Sequence, residues 1–157
     1  MSRLRLAPFV LALLIAAAAT GIAACGEDTD EKNDYVGEVN DVTTTLNEEL
    51  SKVSSSVTSV QSPEEAAAAF GQLASSVQTA ADEIEQIDPP EDVAELHDRL
   101  VSEVETLAAE ATNVVDEIRE GGPAAVVGVA TRFIAEANRI SGEVDATIAE
   151  INSALQD

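Results

Sequence analysis

Residues Ser62–Leu107 read SPEEAAAAFGQLASSVQTAADEIEQIDPPEDVAELHDRLVSEVETL. Two apolar stripes flank a Pro-Pro pair. The first takes Ala66, Phe70, Leu73, Val77, Ala80, Ile84 and Ile87; the second takes Val93, Leu96, Leu100, Val104 and Leu107. Spacings of three and four put each set on one side of a helix. Ser62 suits an N-cap, Pro63 the first helical position, and Glu65 completes a capping box while favouring the positive helix end. Asp88-Pro89-Pro90 ends the first helix, because proline disfavours helical geometry in its predecessor and lacks a backbone donor. The stretch therefore reads as two helices joined by a short turn, which makes them antiparallel neighbours.

Working outward, the second stripe continues through Ala111, Val114 and Ile118 and closes at Glu120-Gly121-Gly122. Pro123 opens a further helix with the stripe Val126, Ala130, Phe133, Ala137, Ile140, Val144, Ile148, Ile151 and Leu155. On the other side, Tyr35 to Val60 carries Val39, Val42, Leu46, Leu50, Val53, Val57 and Val60. Its Thr43–Thr45 and Ser54–Ser56 runs are poor helix formers, so this helix depends on its neighbours. The pattern predicts an all-α, up-down-up-down four-helix bundle over residues 35–157, with crossings of about 20°. The competing arrangement is a splayed or partly three-helix one in which the Ser/Thr-rich first helix docks loosely.

The chain opens with Arg3 and Arg5 and then runs uncharged through LAPFVLALLIAAAATGIAA, Leu6–Ala24. A positive start, an apolar middle and a small-residue end are the layout of a secretory signal, assigned to residues 1–24. Ile22-Ala23-Ala24-Cys25 resembles a bacterial lipobox. The resemblance implies cleavage before Cys25 and a diacylglycerol on its thiol, which would anchor an exported protein to the outer face of the cytoplasmic membrane. One acyl chain binds a bilayer reversibly, whereas two or more hold it stably. An uncleaved spanning helix is the alternative, since the run is near the lower end of the spanning range; in both cases the positive residues stay inside and the bulk of the chain is outside. The segment GEDTDEKND, Gly26–Asp34, lacks any apolar residue, and residues 25–34 read as an acidic flexible tether.

The 157 residues hold 8 Lys+Arg and 30 Asp+Glu, a formal charge of -22. Removing the leader takes away Arg3 and Arg5 and no acid, giving -22 - 2 = -24. Such a surface is repelled by nucleic acid, and nucleic-acid binding is rejected. The same charge predicts that the melting temperature rises with salt at pH 7, and that protonation of mutually repelling carboxylates stabilises the fold on going toward pH 5. With its one cysteine assigned to the lipid, the chain has no disulfide or thiol chemistry. Trp is absent and aromatics are 3%, so the core is built from Val, Ile, Leu and Ala.

The candidate functional residue is His97, the single histidine. A di-iron type site would want a second histidine or a Glu three residues earlier, where Ala94 stands. His97 therefore reads first as a partly buried structural residue held by a neighbour such as Asp98 or Glu95. The acidic groups Glu27–Asp34, Asp82-Glu83 with Glu85 and Asp88, and Glu91-Asp92 with Glu95 lack the loop glycine and the terminal Glu that calcium wants; they read as solvated faces. No catalytic residue, metal site or cofactor is assigned. Serines lie in helical runs without a strand-turn-helix elbow, and Gly121-Gly122 is a helix stop, not a phosphate cradle. Gly37, Gly71, Gly128 and Gly142 fall inside helices, where they permit close helix approach or make the bundle pliable.

Ile87–Leu107, with its Pro-Pro turn followed by a helix carrying an isolated His before an Arg-Leu pair, is similar to a pattern in uncharacterised helical lipoproteins and secreted proteins of actinobacteria. The resemblance implies a lipid-anchored helical protein and carries over no site. Two functions compete. One is a non-enzymatic bundle that binds an envelope protein partner or serves as a structural element. The other is a module for a small cationic ligand or a metal ion, which would need a pocket of a few hundred Å³ between helices.

Overall fold

The computed structural model describes residues 27–57 and 62–156. They form four helices: α1 (Glu27–Val57), α2 (Pro63–Glu85), α3 (Ala94–Gly121) and α4 (Val126–Ala154), with 3₁₀ turns at Glu91–Val93 and Gly122–Ala124. No strand occurs among the described residues, and the fold is an all-α four-helix bundle.

α2 starts as its sequence dictates. Ser62 is extended (φ -139°, ψ 156°) and its side chain accepts from the Glu65 amide at 3.2 Å, with Pro63 just inside the helix. Every member of its stripe from Ala66 to Ile87 is buried. After the Pro-Pro pair, the Val93 amide donates to the Pro90 carbonyl at 3.0 Å, a tight turn that sets the start of α3. The stripe of α3 is buried from Val93 to Ile118, apart from the half-covered Leu96.

α3 ends at the two glycines for two different reasons. Gly122 takes φ +61°, a left-handed conformation that glycine reaches without strain. At Gly121 a Cβ would lie 2.5 Å from the Cβ of Ala125, so the turn closes only around a bare Cα. Pro123 lies within the 3₁₀ turn Gly122–Ala124, and α4 follows at Val126, three residues later than the proline suggested. The glycines at 37, 71, 128 and 142 have nothing within 4 Å of a Cβ position, so they do not serve close helix approach.

α2 with α3 is the most extensive pairing, followed by α3 with α4 and then α1 with α2. Phe70 of α2 and Phe133 of α4 meet edge to face, with centroids 5.2 Å apart at 80°. Arg132 of α4 pairs with Glu117 of α3, and Arg99 of α3 with Glu150 of α4, so these two helices lie antiparallel. α1 is held differently. Its buried residues are Tyr35, Val39 and Thr43, while Val42, Leu46 and Leu50 are only partly covered.

One boundary needs correction. Residues 25–34 were expected as a tether, yet α1 begins at Glu27, eight residues before the anticipated start at Tyr35. No proline or glycine stands between Glu27 and Tyr35 to break the helix, and acids in a first turn favour its positive end. Lys32 then fastens the turn, donating to the Leu155 carbonyl at 3.5 Å and lying 3.4 Å from Asp92 Oδ2. The leader 1–24, Cys25, Gly26 and Val60 lie outside the described residues, as do the side chains of Val53 and Val57. Among the described residues no helix is long and apolar enough to cross a membrane.

Candidate functional site

His97 lies in the first turn of α3 and is 4% exposed. Its partner is neither Asp98 nor Glu95 but Tyr35 of α1, which is 2% exposed. The Tyr35 hydroxyl stands 3.2 Å from His97 Nδ1, and the rings are 5.8 Å apart with their planes at 57°. The hydroxyl donates to Nδ1 when the ring proton is on Nε2 and accepts when it is on Nδ1. Sequence reasoning missed this contact because Tyr35 stands next to a segment read as flexible. The available signal was the spacing Tyr35, Val39, Val42, which continues the α1 stripe back by one turn.

Burial pushes Tyr35 up to about 12. Burial also lowers the pKa of His97, with the Asp98 carboxylate acting weakly against it. Both groups are therefore neutral at pH 7, and their hydrogen bond joins two uncharged partners inside the core. Such a pair can position helices and respond to acid. Among the described side-chain hydrogen bonds, the partner of the ring is the Tyr35 hydroxyl.

A second polar cluster sits between α3 and α4. Arg99 Nε donates to Thr147 Oγ1 at 3.0 Å, and Thr147 Oγ1 donates to Glu103 Oε1 at 2.9 Å. Thr147 is 2% exposed, and Glu103 Oε2 is buried with no partner. A polar residue beside Ile148 on the inner side of α4 carried no signal in the apolar periodicity. The cluster sets the register of the two helices, since a half-turn slip would strand the hydroxyl and the carboxylate.

No group of three His, Cys, Asp or Glu side chains that could hold a metal occurs among the described residues. The acids at Asp82, Glu83, Glu85 and Asp88 are exposed, and Asp92 is taken by Lys32. Two apolar crevices run along the seam of α1 and α4. The larger of these, lined by residues including Leu46, Leu50, Leu107, Ile140 and Val144, holds about 30 Å³, and the one beside Tyr35, Val39 and Ile151 about 10 Å³. Small-molecule sites are usually larger by an order of magnitude. Comparison with known protein families, with curated proteins and with solved structures finds no match.

Proposed function

We propose that this is a lipid-anchored, non-enzymatic bundle of the cell envelope whose role is to bind a partner protein or to act as a structural element there. The observation that carries this reading is the use to which the buried polar groups are put. His97 is occupied by Tyr35, and Thr147 by Arg99 and Glu103, so both polar clusters tie helices together instead of pointing into a ligand-sized space. The larger of the two apolar crevices, about 30 Å³, is also well below the size of a usual small-molecule site. The lipobox-like Ile22-Ala23-Ala24-Cys25 supports the anchor. Because α1 is helical from Glu27, an anchor at Cys25 would hold the bundle close to the bilayer, without a long tether. Crosslinking in intact cells followed by affinity capture tests the role. Recovery of one envelope protein in stoichiometric yield is expected, and a chain that crosslinks only to itself or to nothing contradicts the interaction reading.

A further inference from the structure

Among the described helices α1 is the longest at 31 residues, yet its described side chains bury the fewest. α2, α3 and α4 bury 8, 9 and 7 residues respectively. The described side chains of α1 bury three, Tyr35, Val39 and Thr43, all in its first seventeen positions. The hydroxyl of Thr43 is satisfied within the helix, donating to the Val39 carbonyl at 2.8 Å, so it ties α1 to nothing else. The ties across to the rest of the bundle in this half are Tyr35 to His97, and Lys32 to Asp92 and the Leu155 carbonyl. Farther along, the apolar crevice by Leu46 and Leu50 marks where α1 stands off from α4.

We propose that α1 is an arm latched onto a three-helix body of α2, α3 and α4 by Tyr35 on His97, and that mild acid opens the latch. The groups that bear on the ring are few. Tyr35, from α1, is a neutral phenol, and Lys32, three residues before it on α1, is paired with Asp92. Asp98, on the same helix as His97, is the carboxylate whose field acts on the ring, and among the described residues no charge on α2 or α4 adds to the causes of its lowered pKa. An imidazolium formed in this place loses most of its hydration. The phenol oxygen can turn to accept from Nδ1–H, but one neutral acceptor does not replace water around a cation. The helix that gives way at least cost is the one whose described side chains bury the fewest residues. Swinging α1 aside hydrates His97 while the well-packed α2–α3–α4 body stays whole, which is the local opening expected of a weakly packed unit. Each pH unit between the pKa of the latched and the open ring shifts the balance toward the open form by up to about tenfold.

The chain supplies its own probes. Tyr35 is its one tyrosine, Trp is absent, and His97 is its one histidine. Ultraviolet-excited emission therefore reports on Tyr35, and one pair of ring C–H proton resonances reports on His97. The test is acrylamide quenching of Tyr35 in the full chain from pH 8 to pH 5, together with the His97 titration by NMR and hydrogen exchange corrected for intrinsic rate. Quenching is expected to rise several-fold with the midpoint of the His97 titration, below about 6.5. Amides of α1 are expected to lose protection there while those of α2–α4 keep it. In His97→Gln, which cannot take up the proton, quenching is expected to be independent of pH. Tyr35 emission shielded down to pH 5 overturns the proposal, as does loss of protection in all four helices together. Both readings come from the wild-type chain, so the test stands even if the variant does not fold.

Discussion

The hydroxyl of Tyr35 meets Nδ1 of His97 at 3.2 Å across 62 positions of sequence, in a place that is almost closed to water. Tyr35→Phe removes the hydroxyl and leaves the ring nitrogen without its partner. The cost of an unpaired buried polar group is about 1–3 kcal/mol, so a clear drop in melting temperature by circular dichroism is expected. Replacing both partners, as in Tyr35→Phe with His97→Leu, is expected to cost less than the sum of the single changes. Additive losses would mean that the two residues do not act as a pair.

The same burial fixes the sign of a pH effect. Above about pH 6.5, the ordinary value for histidine, His97 is neutral in the folded and unfolded chain alike. As pH falls below that value the unfolded chain takes up the proton and the folded chain, with its lowered pKa, does not. Stability is lost through this window and the loss levels off below the folded pKa. This opposes the gain toward pH 5 that the acidic composition suggests, and to which Asp145, raised by burial, contributes. The difference in melting temperature between wild type and His97→Gln isolates the histidine part. The wild type is expected to lose stability relative to the variant from pH 7 to 5; a constant difference contradicts the account of His97.

The glycines separate into two kinds, with opposite expected signs. Gly142→Ala adds a methyl group into open space on an exposed helix and is expected to stabilise by about 0.5–1 kcal/mol. Gly121→Ala drives a Cβ to 2.5 Å from that of Ala125, so the turn between α3 and α4 must shift and the protein is expected to melt earlier. Thermal melts of the two variants side by side decide the matter, and a stabilising Gly121→Ala would show that the turn relaxes freely.

A formal charge of -22 on 157 residues leaves like-charge repulsion as the larger electrostatic effect. The ion pairs of Arg139 with Glu136 and Glu143, and of Arg132 with Glu117, are exposed and contribute little. Salt screens over about 10 Å at 0.1 M. At pH 7 the melting temperature is therefore expected to rise between low and moderate sodium chloride. A fall would show that the exposed ion pairs outweigh the repulsion.

Periodicity made the helices legible because the core is aliphatic and continuous. In α2 and α3 the expected stripes and the buried residues agree almost position by position, from Ala66 to Ile87 and from Val93 to Ile118. Ser62, Pro63 and Gly122 marked ends through rules of backbone geometry that act locally. What escaped was non-local or polar. The helical state of Glu27–Asp34 depends on Lys32 reaching Asp92 and the end of α4, and on Tyr35 finding His97. Thr147 and Arg99 gain their meaning from each other across 48 positions, which no window of sequence contains. The loose hold on α1 was foreshadowed by its serines and threonines, but the asymmetry between its two halves comes from where Tyr35 lands.

Metabolic labelling with a palmitate analogue tests the proposed lipid anchor at Cys25 most directly. Wild-type protein is expected to take up label, migrate as the chain cut before Cys25, and sediment with membranes, whereas Cys25→Ala takes up none and stays uncut. A Cys25→Ala chain that still sediments with membranes in its cleaved form would contradict the claim.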